Sequence, residues 1–195
     1  MIRLIEAAIA ITIISIAFSL ILSLSDTLAQ LSVPSSTRGG QTINASEVGT
    51  ISQNQVITGS FGDDRITGTN KSDVIIGLSG SDTIHGGPGN DIIQGDEDAD
   101  RLFGDTGNDI IQGGIGSDQL EGGEGNDILA GGDNDDVLTG GNGNDKLYGG
   151  TGDDILIGGP GADYFDCGDG VDVVLDFNLT QGDDNAGNCE ELRTG

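Results

Sequence analysis

Basic side chains are scarce in this chain: 7 Lys and Arg stand against 33 Asp and Glu, a formal net charge of −26. A surface of that sign repels nucleic acid and anionic membrane headgroups, and it attracts cations. Aromatic residues make up only 4% of the chain while Gly supplies 36 of 195 positions, so an ordinary globular core cannot be built. Histidine occurs once, as His85, which excludes an HExxH zinc centre, and its expected outward strand position leaves no Ser-His-Asp catalytic set. His85 is expected to be a surface residue rather than a ligand. Few hydrophobes under a high net charge normally leave a chain disordered. Order is then possible only if the residues are periodic and something neutralises the carboxylates.

Periodicity is what the sequence has instead. Residues 113–166 read GGIGSDQLE, GGEGNDILA, GGDNDDVLT, GGNGNDKLY, GGTGDDILI and GGPGADYFD. Extended both ways, the nine-residue register runs without insertion through thirteen copies, from Gly59 to Leu175. Position six is Asp in all thirteen, and position eight is apolar in all thirteen, from Ile66 to Val174. Position one is Gly in twelve, Cys167 being the exception. A fixed short period of this kind decides the architecture before any single residue is weighed.

The pattern Gly-Gly-x-Gly-x-Asp-x-apolar-x resembles the RTX, or haemolysin-type, calcium-binding repeat, over 117 of the 195 residues. The resemblance implies an all-β fold, a right-handed parallel β-roll of about thirteen repeats. The first six residues of each repeat would form a turn and the last three a short strand, with two repeats to a coil. Calcium ions would lie between turns of repeats two apart, so that Asp109 pairs with Asp127 and Asp118 with Asp136. At most about eleven such gaps exist, and calcium prefers six to eight oxygen ligands, mixing carbonyl with carboxylate. The expected metal ligands are Asp82, Asp91, Asp100, Asp109, Asp118, Asp127, Asp136, Asp145, Asp154 and Asp163. Position four is Gly in ten repeats and is broken by Lys71, Asp98 and Asn134. Lys71 brings a positive charge to its turn, so the second repeat should bind calcium weakly or not at all. An EF-hand starting at Asp96 fails, since Arg101 stands where Gly is needed and Gly107 where Glu is needed.

The flanks lack this regularity. Residues 1–29 carry Arg3 and then an apolar run from Ala7 to Leu24. They read as a signal peptide cleaved after Ala29 or as a retained membrane anchor. Both place the repeats outside the cytoplasm, secreted or at the cell surface, with membrane contact only through that segment if it is kept. Residues 30–58 read as linker plus a degenerate leading repeat, in which Gln55 takes the Asp place and Ile57 the inward place; plain linker is the alternative. The roll proper is 59–175, and 176–195 is a capping segment. That tail brings Cys189, the one partner available to Cys167; outside the cytoplasm a disulfide is expected, two free thiols being the alternative. Asn44, Asn70 and Asn178 open N-glycosylation acceptor sequences.

Outward positions carry the remaining information. Val74, Ile92, Ile110 and Ile128 recur 18 apart and would stack in one exposed column. The column is either strand propensity or a docking face for a protein or surface partner. Ile155, Ile157, Val173 and Leu175 are expected to be covered by the tail. The composite expectation is a non-enzymatic, extracellular calcium-binding roll with a structural, adhesive or surface-matrix role. One alternative is an accessory or secretion and folding module for a separate secreted enzyme. Another is an ice- or mineral-binding solenoid, against which the mixed outward columns argue.

Overall fold

A computed structural model of the chain describes residues 42–44 and 56–194. The segment 1–29 and its expected export role lie outside the described residues, as does Gln55. Among the described residues there is no helix, and so none long and apolar enough to cross a membrane.

The strands are β1 (Thr42–Asn44), β2 (Val56–Thr58), β3 (Arg65–Thr67), β4 (Val74–Ser79), β5 (Thr83–Pro88) and β6 (Ile92–Glu97). They continue as β7 (Arg101–Thr106), β8 (Ile110–Ile115), β9 (Gln119–Glu124), β10 (Ile128–Asp133), β11 (Val137–Asn142) and β12 (Lys146–Thr151). The last are β13 (Ile155–Ile157), β14 (Tyr164–Asp169), β15 (Val173–Val174), β16 (Asp184–Asn185) and β17 (Glu191–Leu192). Odd strands form one nine-stranded sheet and even strands one eight-stranded sheet, each in unbroken order. All pairings are parallel, and through the repeats each residue lies opposite its equivalent two repeats later, as Ile111 does Leu129 and Leu138 does Leu156. The architecture is the expected parallel β-roll, built as about eight coils rather than six and a half.

The strand and turn division differs from the expectation. Most strands are six residues long and cross the repeat boundary, using positions seven to nine and then one to three of the next repeat. Only positions four to six form the bend. Along such a strand positions eight and one face inward. The core is therefore a single file of position-eight side chains, Ile66 through Val174, each at most 2% exposed. Branched aliphatics suit this place because their Cβ substituents pack well on a pleated surface.

Both ends extend beyond the thirteen repeats. Part of the stretch expected to be linker is a rung: β1 pairs with β3, setting Ile43 against Ile66, a longer separation than two repeats. The added length destroys the period, which is why no register could be seen there. Ile57 is buried and β2 pairs with β4. At the other end β16 and β17 add a rung to each sheet, Phe177 packs against Phe165 at 6.0 Å, and Cys167 is bonded to Cys189. The tail does not lie over the outward face, however. It pairs edge to edge with β14 and β15, so Ile155 stays exposed and Ile157, Val173 and Leu175 half-buried.

Candidate metal centre

Each turn delivers its position-six Asp inward, and these carboxylates are as buried as the aliphatic core, between 0 and 2% exposed from Asp64 to Asp172. Three of the four polar groups of each residue in the array's interior have a partner in a neighbouring coil. The backbone N–H of Asp109 donates to Oδ1 of Asp127 at 2.7 Å, and that of Asp118 to Oδ1 of Asp136 at 2.8 Å. The carbonyl of Asp91 accepts from the N–H of Ile110 at 2.9 Å. The stack is thus held at strand spacing by the aspartates themselves, with repeats two apart as neighbours.

The fourth group is Oδ2. It is buried without a hydrogen-bond partner in Asp82, Asp91, Asp100, Asp109, Asp118, Asp127, Asp136, Asp145, Asp154, Asp163 and Asp172. A buried carboxylate oxygen left unpaired costs more than a kilocalorie per mole each time, and usually several when charged. The oxygen is turned towards position one of its own repeat. A Cβ built on Gly86 would lie 2.6 Å from Oδ2 of Asp91 and 3.0 Å from the carbonyl oxygen of Gly104 in the next coil. Position one is Gly because a methyl group would occupy the place where carboxylate and carbonyl converge.

Such a donor set is all oxygen and mixes carbonyl with carboxylate, which suits calcium and lacks the His nitrogen and Cys sulfur that zinc sites favour. Among the described residues no three His, Cys, Asp or Glu side chains gather at one point. An ion here would therefore complete its shell with backbone carbonyls and water. The model of the RTX calcium-binding nonapeptide repeat matches the chain repeatedly, over 58–93, 76–111, 94–129, 112–147, 130–165 and 139–174. The chain belongs to the RTX repeat family. No curated protein matches it beyond that.

An RTX roll without its ions carries a charge problem, and the aspartate acidities record it. Burial pushes the carboxyls of Asp100 and Asp109 up to about 7 and that of Asp136 to about 8. The neighbouring backbone N–H pulls them back down, and the carboxylates one coil away push them up again. Asp82, Asp91, Asp145, Asp154 and Asp163 rise to about 6, with burial again the largest cause. Asp118, Asp127 and Asp172 are raised for the same reason.

Asp172, absent from the expected ligands, has the same orphaned oxygen; its sequence signal is simply the thirteenth position six. The first two repeats differ. Oδ2 of Asp73 accepts from the N–H and hydroxyl of Thr69, at 2.6 and 2.8 Å. Lys71 is exposed, its own N–H donating to Oγ1 of Thr69 at 3.2 Å. What sets the second turn apart is therefore Thr69 at position two rather than the charge of Lys71.

One further expectation changes. Val74 is buried and Ile92, Ile110 and Ile128 are half-buried, because residues stacked one strand apart cover each other's flanks. The column is less open than the register suggested. His85 lies at the surface, its side chain 43% exposed, with its ring stacked on Phe103 at 4.4 Å and Nδ1 3.3 Å from Oδ2 of Asp105.

Proposed function

We propose that this RTX roll is a non-enzymatic, extracellular calcium-binding module that acquires its fold from the ions, serving a structural, adhesive or surface-matrix role. The observation that carries this reading is the column of buried, unpaired Oδ2 atoms. Asp82, Asp91, Asp100, Asp109, Asp118, Asp127, Asp136, Asp145, Asp154 and Asp163 would each hold calcium through that oxygen, and Asp172 extends the series. Calcium supplies there the divalent charge that offsets adjacent carboxylates, and it accepts irregular sets of six to eight oxygens. Magnesium demands a tight octahedron and keeps its waters, so fixed carbonyls serve it poorly. Binding to the folded chain alone is folding free energy, because the unfolded chain has no convergent site.

Position in the cell follows from the same chemistry. Extracellular calcium modules work at roughly 0.1–1 mM affinity, which suits an ion abundant outside cells and scarce within. The disulfide fits an oxidising compartment. Residues 1–29 would supply export, as a signal peptide or as an anchor. The column of buried Val74 and half-buried Ile92, Ile110 and Ile128 remains the face offered to a protein or surface partner. The test is a calcium titration of the full chain followed by far-ultraviolet circular dichroism, with magnesium as control. A cooperative gain of β-structure in the sub-millimolar to millimolar range, with little response to magnesium, is expected. A metal-free chain already rich in β-structure at neutral pH would defeat the proposal.

A further inference from the structure

Position two of the repeat takes one of two backbone states. In eleven repeats its φ is positive, including the non-glycine residues Leu78 at 89°, Asp96 at 85° and Asp105 at 72°. The remaining two, Ser60 and Thr69, stay out of the left-handed region. The division matches the carboxylates one for one. Every repeat with a left-handed position two, from Leu78 to Gly168, carries an Asp whose Oδ2 is buried and unpaired, from Asp82 to Asp172. Both repeats without it have that oxygen satisfied by position two itself. The N–H of Ser60 donates to Oδ2 of Asp64 at 2.6 Å and its hydroxyl at 3.0 Å. Thr69 does the same to Asp73.

We infer that position two decides whether a turn takes a cation, and that Ser60 and Thr69 are built-in replacements for the ion. The inference rests on the calcium reading above and specifies where it stops. A left-handed position two turns its N–H away from the carboxylate and leaves the oxygen for a metal. A right-handed or extended one aims the N–H at the same oxygen, and a hydroxyl adds a second donor. Thr resists the left-handed state because its Cβ is branched. The rest of the cradle is unchanged: a Cβ on Gly59 would still meet the carbonyl of Gly77 at 2.5 Å and Oδ2 of Asp64 at 2.8 Å. The strained φ of Leu78, Asp96 and Asp105 then has a reason, since these turns hold the open state without glycine. The far end repeats the device with other residues. Oδ1 of Asp183 accepts from the N–H of Asp163 at 3.0 Å, and its Oδ2 from the N–H of Asn178 at 2.7 Å. The roll is thus closed by protein donors at its first turn in both sheets and at its last in the even sheet, and ions are confined to the turns from Asp82 to Asp172.

The full chain folded in calcium and crystallised should show ions beside the turns from Asp82 to Asp172 and none at Oδ2 of Asp64 or Asp73. In parallel, native mass spectrometry should count bound calcium in the wild type, S60G/T69G and S60T/T69S. The glycine variant should hold one more ion for each carboxylate it releases, and the hydroxyl-exchanged variant the same number as wild type. Ions at Asp64 or Asp73 in the wild type, or an unchanged count in a folded S60G/T69G, would overturn the inference while leaving the calcium reading intact. Ions at no turn would overturn the calcium reading instead. If S60G/T69G does not fold, the wild-type crystal decides alone.

Discussion

Two files of side chains run the length of the roll, and both are buried to the same degree. The strands carry Ile66 to Val174 inward at no more than 2% exposure, and the turns carry Asp64 to Asp172 inward at no more than 2%. The aliphatic file is complete in itself: each member stacks on its equivalent in the next coil and needs nothing further. The aspartate file is organised by the same ladder yet left one oxygen short in Asp82 through Asp172. The contrast teaches that burial by itself does not make a core. Apolar burial is stabilising by about 25 cal/mol per Å², whereas a buried carboxylate stabilises only once it is neutralised or coordinated.

The largest break in that comparison comes from removing the ion. Chelation of the calcium-loaded chain at neutral pH should abolish its β-structure cooperatively, read by far-ultraviolet dichroism. The turns then repel, and the aliphatic file alone cannot hold so many short strands together. Survival of the signal would show the aspartate file to be as self-sufficient as the aliphatic one. A break in the other file is smaller. Leu129→Ala, at a fully buried site, should cost about 2–5 kcal/mol in calcium-saturated denaturant unfolding. A cost near zero would mean that the ions alone define the fold.

The next prediction sharpens the comparison within the turns. Asp127→Ala removes an unpaired oxygen and also the acceptor of the Asp109 N–H. Asp73→Ala removes an oxygen already held by Thr69. The calcium midpoint of folding should therefore rise clearly more for Asp127→Ala than for Asp73→Ala, in the same dichroism titration. Equal shifts would erase the distinction between the two kinds of turn.

Acidity gives the smallest effect and the most specific one. In the metal-free chain Asp100 and Asp109 titrate near 7 and Asp136 near 8 when folded, against an ordinary value of 3.8. A folded pKa raised above the unfolded one favours the folded state fully below about pH 4, and that contribution is lost as pH climbs through about 6 to 8. The metal-free chain should thus gain some β-structure on acidification from about pH 8 towards 4. Protons occupy the same oxygens, so calcium should bind the folded chain more weakly over the same range while less of it is needed to drive folding. A metal-free chain that loses structure on acidification would reverse the sign and sink the account.

How much of this was legible in the sequence depends on which residues repeat. The nine-residue period placed every inward aliphatic residue and every turn aspartate, since in a solenoid the register of one coil is the register of all. The family pattern made two repeats one coil, and the structure shows Asp109 and Asp127 as neighbours. Where the period breaks, the sequence was silent: Ile43 of β1 lies too far before Ile66 to fit the repeat, β16 follows β14 at a longer separation than two repeats, and β17 keeps the spacing from β15 but with Glu190 where the repeat has Asp. The sequence also misdirected attention at the second turn, where the charge of Lys71 is conspicuous and the hydroxyl of Thr69 is not.

Chain composition and period by themselves determined a repeat architecture, its inward file and its appetite for cations, because those follow from spacing and charge counted along one dimension; that the repeat is an all-β roll came from the resemblance to the RTX family. Only the tertiary structure decided which carboxylate oxygens are left without a donor. That depends on whether the backbone at position two turns its N–H towards the aspartate of the same repeat or away from it. The sequence names the residue at that place, but Leu78, Asp96 and Asp105 adopt the glycine-like state while Ser60 and Thr69 do not. Ser60 and Thr69 each bring a hydroxyl as well as an N–H to the aspartate of their own repeat, a donor that Leu78, Asp96 and Asp105 lack, and only the folded turn brings that hydroxyl within reach of the carboxylate.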